Sequence, residues 1–159
     1  MSLYLRTMTK QIEIVRSLRE FLLSTVNELS TEQLNQIPDG FGNNIIWNLA
    51  HLIAAQQGIC YIRAGLNAPL GEDFVNTYKT GTKPEKFIDP AEIAHIKQLF
   101  FSTLDQLEAD YNNNIFKGYT AVTTRYGMAL NNIDDGINFL PFHEGYHIGV
   151  IAGLKRLVK

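Results

Sequence analysis

The sequence is poor in cysteine, in charge and in long apolar runs. One cysteine, Cys60, stands among 159 residues, so no internal disulfide can form and a reducing, cytoplasmic setting is expected. Charged residues make up 19%, against a usual ~25%. The net charge is −2, from 14 basic and 16 acidic residues. No Lys/Arg cluster breaks that balance, so the electrostatic footprint of a nucleic-acid binder is missing and no nucleic-acid partner is expected. No run of about 18 apolar residues occurs, and no membrane span is expected. The stretch MSLYLRTMTK lacks the apolar centre of a signal peptide, and no fixed-period repeat is visible.

What is present suits a folded helical protein. Hydrophobic residues reach 45% and aromatics 11%, too apolar for a disordered chain, and the length fits a single domain over residues 1–159. Four long helical segments are expected. The first runs from about Thr9 to Leu29, with Val15, Leu18, Leu22, Thr25 and Leu29 forming a seam at spacings of three and four. Ser30 and Gln33 form a capping box for a short turn. The second starts near Asn43 or Asn44 and stops at Gly65. Residues 66–88, with Pro69, Gly71, Gly81 and Pro84, read as a long loop without a clear period. Asp89-Pro90-Ala91-Glu92 opens the third helix, with Asp89 as the cap, Pro90 at the first helical position and Glu92 completing a capping box, and the helix buries Ile93, Ile96, Phe100, Leu104 and Leu107. Residues 115–130 favour a short strand or hairpin. The last helix spans about Ile133 to Leu157 and contains Pro141, which should kink it. The expected fold is all-α: a four-helix bundle whose long connection lets helices 2 and 3 run parallel.

The chemistry sits in the histidines. His143 and His147, four apart in His143-Glu144-Gly145-Tyr146-His147, share one helix face. Gly136, Phe139, Leu140, Val150 and Leu154 fall on or near that face. His51 shares a face of the second helix with Asn44, Trp47, Asn48, Ala55, Gly58 and Ile62. Packing the two faces together brings three neutral imidazoles to one point, a donor set for a divalent transition metal with coordination positions left over. A lone histidine on an apolar face is more often a hydrogen-bonded core residue; the convergence of three carries the metal reading. His95 falls off the core stripe and reads as a surface residue, and Cys60 as a small buried one.

The same string matches the H-E-x-x-H pattern of zinc proteases. No His, Asp or Glu follows His147, so their downstream ligand is missing and a protease is disfavoured. Glu144 is left open to a groove, a supporting contact or solvent. Gly145, Gly149 and Gly153 recur at four-residue intervals, a pattern of tight packing inside the bundle or, alternatively, of a close dimer contact.

Asn44-Ile45-Ile46-Trp47-Asn48-Leu49-Ala50-His51-Leu52 resembles the first histidine motif of the DinB-like superfamily, and Phe142-His143-Glu144-Gly145-Tyr146-His147-Ile148-Gly149 its second. The resemblance implies a four-helix bundle with a crossover, a metal triad of His51, His143 and His147, zinc or nickel as the ion, and a homodimer. Some such relatives are transferases or isomerases that use low-molecular-weight thiols; others have no assigned activity. The resulting expectation is a metal-dependent enzyme of thiol-dependent transferase or hydrolase type acting on a small molecule, its catalytic residues unassigned. The alternative is a non-catalytic metal-binding or stress-associated module. Trp47, Phe139, Phe142 and Tyr146 are candidates to shape a pocket that the 66–88 connection covers.

Overall fold

A computed structural model describes residues 3–159, with side chains from Met8 onward. Four long helices form the core: α1 (Leu3–Val26), α3 (Ile45–Gln56, prolonged by a π-helical turn and a 3₁₀ turn to Ala64), α5 (Pro90–Asn112) and α6 (Ile133–Lys155). Two short helices, α2 (Thr31–Asn35) and α4 (Glu72–Tyr78), lie in the connections. A hairpin pairs β1 (Val122–Thr123) with β2 (Ala129–Leu130) just before α6. The architecture is all-α and bundle-like, with more helical segments than expected.

The caps explain the boundaries. Ser30 and Gln33 make both bonds of the capping box at α2. Asn44 Oδ1 accepts from the Trp47 amide at 2.9 Å and starts α3. Gly65, at φ 77°, ends the extension of α3, a left-handed position that glycine occupies at little cost. Asp89 Oδ1 accepts from the Glu92 amide at 2.8 Å, but the Glu92 carboxylate pairs with Lys86 at 2.8 Å rather than closing the box. α6 continues through Pro141.

Long-range bonds give the helix directions. Asn35 bridges the start of α3, through Asn44, and the start of α5, through Ile88. Further along, Gln56 bonds the Thr103 carbonyl and Tyr61 bonds Asp110. Starts meet starts, so α3 and α5 run parallel and the connection between them crosses the bundle. Arg16 with Asp105 and Arg19 with Phe100 set α1 antiparallel to α5. Arg19 with Glu144 and Thr25 with Lys155 set α1 parallel to α6.

That connection is not a structureless loop. Gly71 at φ 83° turns the chain into α4, which has Glu72 and Asp73 in its first turn and buries Val75 and Tyr78 one turn apart. Seven residues are too few for a visible helical period.

The seam of α1 is Met8, Ile12, Val15, Arg19, Leu22 and Val26; Leu18, Thr25 and Leu29 are only half-buried. Expecting an apolar seam passed over an arginine on the buried face. Two apolar clusters result. One gathers Leu22, Val26, Leu49, Ile53, Phe100 and Ile151 among others; the other gathers Met8, Ile12, Val15, Cys60, Leu104 and Leu140 among others. Arg19, Gln56, Thr103 and Glu144, all buried, form a polar layer bonded across α1, α3, α5 and α6. The stretch Ile45–Ala64 is long and apolar enough to cross a membrane by length and composition alone, but most of it is buried within the protein, as in a core helix.

The glycines of α6 correct another expectation. Gly145, Gly149 and Gly153 are exposed, and a Cβ on any of them meets nothing within 4 Å, so tight packing within the bundle is not their role. Close approach occurs instead at Gly136, where a Cβ would stand 3.0 Å from Tyr119 Oη and 3.2 Å from Ile59 Cγ2. Gly136→Ala should therefore destabilise by about 1–3 kcal/mol through overpacking. Gly149→Ala should stabilise by up to about 1 kcal/mol through helix propensity. Urea unfolding of both variants checks this; shifts of the same sign would contradict it.

Candidate metal centre

α3 and α6 pack antiparallel and bring their histidine faces together. The ring centroids of His51 and His143 lie 5.3 Å apart, those of His51 and His147 4.7 Å, and those of His143 and His147 4.7 Å. One nitrogen from each ring falls within 4.8 Å of the others. Three ligands at about 2.0–2.1 Å from one tetrahedral ion stand about 3.4 Å apart, so inward shifts of under about 1 Å per ring would suffice. His95, on α5, is exposed and away from this cluster, as expected.

Two of the rings are oriented by hydrogen bonds. His51 Nδ1 lies 2.7 Å from the Tyr78 carbonyl, at the end of α4. A carbonyl only accepts, so Nδ1 carries the proton and Nε2 is the free lone pair. His147 Nδ1 lies 2.9 Å from Asn48 Oδ1. The Asn48 amide nitrogen already donates to Asn43 Oδ1 and to the Asn44 carbonyl, so its oxygen must accept, and Nε2 of His147 is again free. Supporting bonds of this kind orient metal-ligating imidazoles. Trp47 stacks on His51 at 4.8 Å and 8° between planes, fixing its ring further.

Electrostatics favours the neutral, ligating form. Burial lowers the pKa of His51. Burial first, then the neighbouring imidazoles and Arg125, holds His143 down at about 3. Burial, His51 and Arg125 do the same for His147, also to about 3. Protons therefore compete poorly with a cation for these nitrogens. The donor set and tautomers fit a divalent transition ion.

Glu144 does not join the cluster. It is 1% exposed and turns into the polar layer, where Arg19 Nε donates to its Oε1 at 2.9 Å and Arg19 Nη2 stands 2.7 Å from the same oxygen. Burial raises the carboxyl's pKa while Arg19 opposes that rise; arginine stays protonated, and the carboxylate is what neutralises it. A protease-like glutamate that activates water is thereby excluded.

His51 and His143 open onto a cleft of 790 Å³, within the range of small-molecule sites. Val75, Lys79 and Thr80 from the long connection and the hairpin residues Thr123, Arg125 and Tyr126 form part of its wall. Of the aromatics expected around a pocket, Phe139 lines the cleft and Trp47 backs His51. Phe142 and Tyr146 are 43% and 45% exposed and cluster with Tyr126. Sequence reasoning missed Arg19, Tyr78 and Arg125. Only Arg19 left a signal, its seam spacing from Val15 and Leu22.

The DinB superfamily profile matches residues 15–151. The chain belongs to the DinB superfamily. No curated protein matches its sequence. The family assignment agrees with the helical core and with the three-histidine cluster held at the interface of two long helices.

Removing one partner of the buried ion pair should be costly. Arg19→Met leaves Glu144 buried and unpaired and should cost about 3–5 kcal/mol. Arg19→Met with Glu144→Leu should recover most of the loss, and a double variant as unstable as the single one would refute the pairing. A second expectation concerns pH. Histidines titrate near 6.5 when unfolded and at about 3 here for His143 and His147. Between these values the unfolded chain binds more protons, so the stability of chelated protein is intact above about pH 6.5 and falls as pH drops. Each such histidine contributes a slope of up to about 1.4 kcal/mol per pH unit. Between pH 6.5 and 5, before most carboxylates titrate, His143→Asn should show a shallower fall than the parent.

Proposed function

We propose that this DinB-superfamily chain is a metal-dependent enzyme in which His51, His143 and His147 hold one zinc or nickel ion, and that it acts on a small molecule with a low-molecular-weight thiol as co-substrate. The observation that carries the reading is the cleft: the histidine cluster stands at the wall of an accessible cavity, through His51 and His143, rather than sealed in the core. A purely structural site is closed. A bound divalent ion would supply Lewis acidity and favour the thiolate form of a coordinated thiol.

The chain's own residues have defined parts in this reading. The Tyr78 carbonyl and Asn48 hold Nε2 of His51 and His147 toward the common point. Trp47 and Phe139 keep one side of the site apolar. With Glu144 tied to Arg19, the site has no carboxylate base among the described residues, which favours a nucleophile that loses its proton readily. Thiols do so far more readily than water. The same withdrawal of Glu144 supports the second reading, a metal-binding module without turnover. The proposal includes a cytoplasmic location, supported by the lone buried Cys60. It also includes a homodimer, supported by the exposed flank of α6 that carries Phe142, Tyr146 and the open glycines.

Adding zinc or nickel to chelated protein should raise its melting temperature, because a ligand selective for the folded state stabilises it. His147→Ala should lose most of the shift and His95→Ala should keep it; equal loss would mean that the ligands are assigned wrongly. With cobalt as the ion, 2-mercaptoethanol should produce a sulfur-to-metal charge-transfer band. A fully loaded protein whose spectrum ignores several small thiols would favour the non-catalytic reading.

A further inference from the structure

The cleft has a charge character that no stretch of the sequence suggests. Arg63 comes from the 3₁₀ turn after α3, Lys79 from the end of α4 and Arg125 from the hairpin turn, and all three line the same cavity. No Asp or Glu is among the described residues of its lining, and none of the three cations forms an ion pair with a described residue. Their hydrogen-bond partners are neutral: Arg63 Nη1 donates to the Thr120 carbonyl at 3.4 Å, Lys79 Nζ to Asn76 Oδ1 at 2.9 Å and Arg125 Nη2 to Tyr126 Oη at 2.9 Å. Arg63 is half-buried and Lys79 and Arg125 are exposed, so together they give the cleft a positive potential that attracts an anion.

Arg125 is the best prepared of the three. Its guanidinium lies 5.0 Å from the Tyr126 ring centroid and 5.7 Å from that of Tyr146, cation–π contacts that limit its orientations. The turn beneath it is closed by bonds from the Thr124 amide to the Met128 carbonyl and from the Gly127 amide to the Thr124 carbonyl. Among the described residues its guanidinium donates one hydrogen bond, to Tyr126 Oη, and a planar fork of this kind matches a carboxylate in two parallel bonds. The Tyr146 ring that Arg125 approaches stands 5.2 Å from the His147 ring, which places an anion bound there near the cluster. The rest of the wall is largely apolar, with Ala54, Ile59, Val75, Val122 and Phe139.

We infer that the cleft binds small molecules carrying a carboxylate on an apolar body, with Arg125 receiving the carboxylate and Lys79 and Arg63 reinforcing it. The inference names the charge of the substrate in the reading above and rests on that reading only for calling the occupant a substrate. It is tested without metal, so that its failure and the failure of the metal reading are separate results.

Chelated, ¹⁵N-labelled protein is titrated with pentanoate, with its neutral isostere pentanamide and with inorganic phosphate, following backbone amide shifts. Pentanoate should perturb amides of residues 120–126 and of Lys79 and Thr80, and bind at least tenfold more tightly than pentanamide or phosphate. Salt should weaken pentanoate and not pentanamide. Arg125→Gln with Lys79→Gln should bring pentanoate down to the affinity of pentanamide, with the remaining spectrum unchanged. Arg125→Lys, which keeps the charge and loses the fork, should fall between. Equal affinities for pentanoate and pentanamide, phosphate binding as tightly as pentanoate, or full pentanoate affinity in the double variant would each overturn the inference.

Discussion

The pairing of Arg19 with Glu144 organises this protein. A guanidinium with no exposed surface must be neutralised inside the bundle, and among the described residues the carboxylate that reaches it belongs to the helix that carries two of the histidines. The pair joins α1 to α6, while Arg19 also holds α5 through the Phe100 carbonyl and Thr103. A sliding apolar interface tolerates several registers; a buried ion pair with directed bonds tolerates one. It also sets the rotation of α6 so that Glu144 points inward toward Arg19 on α1, leaving His143 and His147 to face α3. The orientation of the candidate site follows from a contact on its far side.

On the near side, three imidazoles, His51 and His147 buried and His143 half-buried, stand against one another, an arrangement that favours their neutral forms. Burial enforces that, and the hydrogen bonds from Nδ1 of His51 and His147 use the proton that neutrality leaves. The resulting lone pairs converge, and no carboxylate of the described residues joins them. Arg125, Lys79 and Arg63 at the adjoining cleft add to the positive field rather than cancel it. The donor cluster, the open cavity and the cations of its wall describe one environment, suited to a cation in the cluster and an anion beside it.

The long connection between α3 and α5 is part of this environment. Through α4 it supplies the carbonyl that orients His51, and it places Lys79 and Val75 in the cleft wall. Crossing the bundle takes many residues, and the parallel arrangement of α3 and α5 makes the crossing unavoidable. The hairpin before α6 does the same from the other side with Arg125.

Residue spacing alone was enough to recognise the four long helices, the caps at Ser30, Asn44 and Asp89, the stop at Gly65, the hairpin and the three histidines on inward faces. These are local or periodic features, written in residues a few positions apart. What spacing could not settle was the direction of Glu144, which a helical wheel leaves between faces until Arg19 is known to sit on the facing helix. Nor could it reveal the short helix α4, because two buried residues one turn apart make no period. The basic cleft was equally invisible: Arg63, Lys79 and Arg125 belong to separate segments, and a charge cluster assembled from three connections exists only once the chain has folded. Local chemistry chose the elements and the candidate ligands; the packing of α1, α3, α5 and α6 decided which polar groups met, because burial forces each charged or hydrogen-bonding group to find its partner across the bundle.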